Sequence, residues 1–121
     1  MEHLLLGRCR VTMGQMQDFT TRIQRWEQDV METAHAPAFH AVYLERDDPS
    51  RVVIELRFDD RDQADACIAA GQIDALHQEV LACTNEAPTD FIRYDLFYGA
   101  GNRGDRVVFG EPGHGGGAAR T

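Results

Sequence analysis

Apolar and polar positions alternate with period two along four stretches of the chain and recur with a helical period between them. From His3 to Thr12, Leu5, Gly7, Cys9 and Val11 fall on one face and Leu6, Arg8 and Arg10 on the other, which predicts a two-faced strand. Thr12-Met13-Gly14-Gln15 has the spacing of a capping box, so a helix is expected from about Gln15. Phe19, Ile23, Trp26 and Val30 then form an apolar stripe down one side of that helix, which should run to about His35 before Pro37 ends it. Phe39 to Arg46 and Arg51 to Phe58 read as strands, joined by the turn chemistry of Asp47-Asp48-Pro49-Ser50. In the second of them Val52, Ile54, Leu56 and Phe58 alternate with Val53, Glu55 and Arg57.

Asp59-Asp60 should cap a second helix whose apolar side is Ala64, Cys67 and Ile68. Gly71 interrupts the pattern, and a helical piece resumes with Ile73, Leu76, Val80 and Leu81, to end near Thr84. After Pro88, Asp90 to Tyr98 reads as the last strand, with Ile92, Tyr94, Leu96 and Tyr98 as its inward face and Phe91, Arg93, Asp95 and Phe97 opposite. The order βαββαβ predicts an α+β, ferredoxin-like domain over residues 1–98, a four-stranded antiparallel sheet with helices on one face. Eight of the chain's eleven glycines lie in 99–121, where only Val107-Val108-Phe109 offers an apolar cluster. That tail is expected to be mostly disordered or to dock on a partner subunit.

The length of 121 residues suits one domain, and 43% hydrophobic with 26% charged residues is the profile of a globular protein. No apolar run approaches the roughly 18 residues of a membrane span, and the start of the chain lacks a secretory signal, so no membrane partner and a cytoplasmic location are expected. A net charge of −8 argues against nucleic acid, whose phosphates demand basic side chains. All twelve basic residues are arginine. Cys9, Cys67 and Cys83 are odd in number and far apart, and read as packing residues rather than as disulfides or zinc ligands. His35, His40 and His77 have no ligand-like spacing, so no metal is expected. No phosphate loop, dinucleotide fingerprint or Ser-His-Asp order is present.

If helices cover one sheet face, the other carries Arg8, Arg10, Glu55, Arg57, Arg93 and Asp95 among Leu6, Val53, Phe91 and Phe97. Exposed aromatics beside matched charges predict a homodimer, with these charges as a network across the interface. Such a network sets register more than it adds stability.

The element order, the first strand closing in Thr12-Met13-Gly14, and the passage Val52-Val53-Ile54-Glu55-Leu56-Arg57-Phe58-Asp59-Asp60 together resemble the antibiotic biosynthesis monooxygenase-like family over about 95 residues. The resemblance implies a dimeric α+β barrel with a ligand pocket in each subunit, between sheet and helices. It implies chemistry of one of several kinds: cofactor-independent oxygenation of aromatic, polyketide-like phenols, haem degradation, or roles not assigned. Of the haem-degrading residues only a histidine is matched, by His77. Gly7 stands at the asparagine position, and Ala66 or Cys67 stands near the tryptophan position. The tryptophan often found in the oxygenases at the end of the third strand is represented by Phe58.

Within such a pocket His77, bordering the helix's inward stripe between Ile73 and Leu81, is the candidate base. Tyr94 is a second catalytic candidate, able to orient a substrate oxygen. Trp26, His40, Tyr43, Phe58 and Tyr98 are the candidate substrate-binding residues, with His40 and Tyr43 on opposite faces of their strand. The function expected is a cofactor-independent monooxygenase or related tailoring enzyme on a small aromatic molecule, with no cofactor. The alternative is a non-catalytic dimeric protein that binds a small apolar ligand; haem binding or degradation and a cyclase or isomerase rank lower.

Overall fold

The computed structural model describes residues 2–84, 90–103 and 105–109. Among the described residues nine elements follow one another: β1 (His3–Arg10), α1 (Met16–Met31), β2 (Phe39–Leu44), β3 (Arg51–Phe58), α2 (Arg61–Ala69), α3 (Gln72–Leu81), β4 (Ile92–Asp95), β5 (Gly99–Arg103) and β6 (Asp105–Phe109). The first four strands form one antiparallel sheet in the order β2-β3-β1-β4, and β5 with β6 forms a separate two-stranded sheet. The ferredoxin-like α+β architecture read from the pattern is therefore the fold. Part of the glycine-rich segment departs from expectation, because β5 pairs with β6; residues 104 and 110–121 lie outside the described residues.

The core is the seam between sheet and helices. Leu5 and Val11 of the first strand's run, Val52, Ile54, Leu56 and Phe58 of β3, and Phe19, Ile23, Trp26 and Val30 of α1 are all buried. Each such large apolar side chain contributes roughly 1.5–3 kcal/mol by leaving water. α2 adds Ala64 and Cys67, and α3 adds Ile73, Leu76 and Val80. Trp26 donates from Nε1 to the Gln72 carbonyl at 2.8 Å, which ties α1 to the start of α3 and satisfies the one polar atom of a buried indole.

The element boundaries differ from the pattern where local hydrogen bonds compete. The Thr12 hydroxyl does not cap α1. Gln15 occupies the cap without a side-chain bond, and its N–H instead donates to the Thr12 carbonyl in a turn. α1 stops at Met31 rather than near His35, because Thr33 returns both its N–H and its hydroxyl to the Val30 carbonyl. Asp60 caps α2 as expected, accepting from the Gln63 N–H at 2.9 Å. Gly71, at φ +81, makes the left-handed turn that separates α2 from α3.

The largest correction concerns β4, which spans four residues rather than nine. Its register with β1 sets Arg93 opposite Leu5 and Asp95 opposite His3, while Tyr94 and Ile92 face Leu4 and Leu6. Leu5 is buried under the helices, so Arg93 and Asp95 lie on the helix side and Ile92 and Tyr94 on the open side, the reverse of the expected orientation. Strict alternation defines two faces without saying which is inward, and two interactions decide the matter. Phe91 packs against the core beside Gly7, and the charges of Arg93 and Asp95 are consumed within the subunit.

Candidate functional site

A small half-open cleft, whose roughly 210 Å³ of empty space includes open solvent, lies at the end of the sheet–helix seam, lined by Gly7, Arg8 and Cys9 of β1, Ile54 of β3, His77 and Val80 of α3, and Phe91. The local sequence explains each contribution. Gly7 and Cys9 follow Leu5 on the helix-side face of β1, and Gly7 pairs with Ile54 across the ladder to β3. On α3, His77 precedes by three residues the buried Val80 and follows Leu76, so the inward stripe of the helix carries it to the pocket rim. β4 begins only opposite Leu6, so beyond that point Phe91 takes the place of a paired strand against Gly7.

The lining is apolar apart from His77; Arg8 alternates with Gly7 and Cys9 on β1, which directs its side chain to the open face. Burial, and secondarily the proximity of Cys83, pushes the Cys9 thiol up to about 11, so it stays protonated at neutral pH and offers no nucleophile. Burial likewise raises the Cys67 thiol to about 11. Among the described residues no group of three or more His, Cys, Asp or Glu side chains is placed to hold a metal ion. What the site offers chemically is an apolar surface beside one imidazole able to accept or donate a proton.

Of the candidate catalytic and substrate-binding residues, the pocket lining includes His77 alone; Arg8 and Phe91, expected on the open face, also border it. Trp26 and Phe58 are buried core residues. His40 is on the helix side of β2 but turns to Glu27 of α1, with Nε2 2.8 Å from its carboxylate. Tyr43 lies on the open side and donates to Glu55 at 2.7 Å. Tyr94, expected inward, is 43% exposed on the open side, and Tyr98 is exposed after β4 has ended. Gly7, Cys9, Ile54, Val80 and Phe91 were not among the candidates. Their signal is faint, since four are small or aliphatic and Phe91 shows its role only through the register.

The open side of the sheet holds a second cluster. Glu55, 7% exposed, accepts from Tyr43 at 2.7 Å and from Arg57 at 3.0 Å, and the Arg57 guanidinium sits 5.2 Å from the centre of the Phe39 ring. The hydrogen bond to Glu55 is the main reason that the Tyr43 phenol is raised above its ordinary value. Arg10 is held by Asp48 at 2.9 Å. Arg93 and Asp95, expected in this cluster, belong instead to a network on the helix side. Asp95 sits 2.8 Å from Nδ1 of the buried His3, Arg93 donates to His3 Nε2 at 2.9 Å, Arg93 also pairs with Asp65, and Arg61 reaches Asp95 at 3.0 Å. Phe91 leaves the open face as well, and Phe97 is exposed beyond β4.

No protein-family model and no curated protein matches the sequence. Solved structures do match in fold. A protein of Nitrosomonas europaea, provisionally named an antibiotic biosynthesis monooxygenase, is 15% identical with a TM-score of 0.63, covering 83% of this chain and 94% of its own. A mutant form of SnoaB, a cofactor-independent oxygenase from Streptomyces nogalater, is 16% identical with a TM-score of 0.61, covering 78% and 92%. A conserved protein from Methanosarcina mazei Go1 is 13% identical with a TM-score of 0.63, covering 77% and 90%. The chain therefore has the α+β fold of the antibiotic biosynthesis monooxygenase structures. At this identity the likeness establishes the fold and leaves the activity to the site. No helix among the described residues is long and apolar enough to cross a membrane.

Proposed function

We propose that this protein is a cofactor-independent monooxygenase, or a related tailoring enzyme, that acts as a cytoplasmic homodimer on a small aromatic, polyketide-like molecule. The observation that carries the reading is one imidazole, His77, at the rim of an apolar pocket between sheet and helices. An aromatic ring satisfies the apolar lining, and a phenolic or enolic proton gives the imidazole something to remove. The resulting carbanion passes an electron to dioxygen, and recombination forms the new C–O bond. Loss of water then leaves a carbonyl where a methylene stood, with the other oxygen atom leaving in that water.

Oxygen uptake by metal-free protein with anthrone- and naphthol-type substrates tests the chemistry. Turnover should occur and should fall at least 100-fold in His77→Ala; turnover unchanged in that variant removes His77 from the mechanism. The alternative of a non-catalytic binding protein is favoured by the absence of Tyr94, Tyr98, Tyr43 and His40 from the pocket lining. Tight naphthol binding with no oxygen uptake would select it.

The dimer rests on the open face, where Phe39, Tyr43, Ile92 and Tyr94 are each between 43% and 49% exposed around the Glu55–Arg57 pair. These groups stand on β2 and β4, the two edges of the sheet, and exposed aromatic and aliphatic side chains on one face support an interaction site. Sedimentation at micromolar concentration should show two subunits for the native chain and one for Ile92→Arg; a native monomer would contradict the assembly.

A further inference from the structure

We infer that His3, Arg93 and Asp95 form a proton-operated latch, in which neutral His3 ties β4 to β1 and a second proton on its ring expels Arg93 and loosens the strand. The latch stands independently of the chemistry at His77. β4 is an edge of the four-stranded sheet and its shortest strand, and a short edge is where local opening costs least. It places Ile92 and Tyr94 on the open face and follows directly on Phe91 at the cleft, so the strand under control carries groups of both surfaces.

The hydrogen bonds settle which atoms of His3 carry protons. A guanidinium has donors and no acceptor, and it stays charged in proteins. Arg93 Nε, 2.9 Å from His3 Nε2, therefore donates to a ring nitrogen that keeps its lone pair. The single ring proton is then on Nδ1, which donates to Asp95 Oδ1 at 2.8 Å. A second proton would fall on Nε2, the atom that faces Arg93. Donor would meet donor and cation would meet cation, and at 3% exposure His3 has little access to water that could replace the lost bond.

The charged groups around the ring decide which partner leaves. From β4, Asp95 favours an imidazolium and Arg93 opposes it. From α2, Arg61 shares Asp95 at 3.0 Å, which divides the pull of that carboxylate, and Asp65 pairs with Arg93. From β3, the residue opposite His3 is Phe58, buried and uncharged, while Glu2 turns to Arg57. Asp95 is held below the usual carboxylate range by His3 first and Arg61 second, so it is ionised whether or not the ring is charged. Its bond to Nδ1 survives the second proton, and Arg93 is the group that goes. Both Arg93 and Asp65 are open to solvent, which gives the guanidinium a way out with its counter-ion. β4 then loses the side-chain tie at its middle.

NMR of isotope-labelled protein, combined with hydrogen exchange of the β4 amides, tests the latch. At about pH 8 the ring nitrogens of His3 should show the Nδ1–H tautomer; an Nε2–H ring or a charged ring there would overturn it. Between about pH 8 and pH 5, where imidazoles take up protons, His3 should become charged. Protection of the β4 amides, and of the Leu96 amide that donates to the Glu2 carbonyl, should then fall about 10-fold relative to β3. A ring that stays neutral, or protection that holds as the ring charges, would overturn the proposal. Arg93→Gln separates the latch from general loosening in acid, because it puts an amide on Cδ where arginine has Nε. That amide can donate to a bare Nε2 or turn its oxygen to a protonated one, so β4 should stay protected across the range. The same fall persisting in Arg93→Gln would show that the proton acts elsewhere. Should that variant fail to fold, His3→Phe, with no titrating atom, should leave β4 equally weakly protected at both ends of the range; a fall with pH there would equally contradict the latch.

Discussion

A single carboxylate, Asp95, shows how strongly one residue's placement depends on its partners. Its hydrogen bond to His3, and secondarily that to Arg61, hold its carboxyl below the usual carboxylate range. A group whose pKa is depressed by folding stabilises the fold above its unfolded value, about 3.9, and loses that contribution as pH falls through the folded value. Acid should therefore release the end of β4 from β1 before the core melts. Thermal melts of the native chain should lose more stability between about pH 5 and pH 2 than those of Asp95→Asn, whose side chain does not titrate. Equal losses would show that another carboxylate controls the acid limb. His77 illustrates the opposite case. Its helical spacing from Ile73 and Val80 made it legible as a pocket residue, and the pocket lining includes it.

At the scale of elements, periodicity was sufficient wherever two faces differ sharply in polarity. β3 runs from Arg51 to Phe58 as its alternation requires, with Val52, Ile54, Leu56 and Phe58 buried. α1 buries the four residues of its apolar stripe. β4 is the instructive exception, because Ile92-Arg93-Tyr94-Asp95 mixes aliphatic, aromatic and charged groups. At a sheet edge the helix side is roofed only in part, so charges can stand there when a neighbouring helix supplies partners. Arg61 and Asp65 of α2 do so for Asp95 and Arg93. Tertiary pairing, invisible to a count of alternating residues, fixes the orientation. The same limit hid Phe91, whose role follows from the empty Cβ position of Gly7, a residue distant in sequence. The pairing of β5 with β6 was not foreseen because Gly99-Ala100-Gly101-Asn102-Arg103 has neither β-branched residues nor alternation.

For the whole molecule, one sheet carries two unlike surfaces, and the account assigns them different work. The helix side ends in an apolar pocket with His77 and Phe91, and the open side carries Tyr94, Ile92 and the Tyr43–Glu55–Arg57 cluster. The fold was legible from the order of elements, and the matching solved structures share it; of the candidate pocket residues, only His77 lies in the lining. The most direct test is to titrate isotope-labelled protein with 2-naphthol and follow ring and methyl resonances by NMR. The account predicts that His77, Ile54, Val80 and Phe91 shift together while Ile92 and Tyr94 stay still. Shifts confined to Ile92, Tyr94 and Tyr43, with His77 unmoved, would place the ligand on the open face and contradict it.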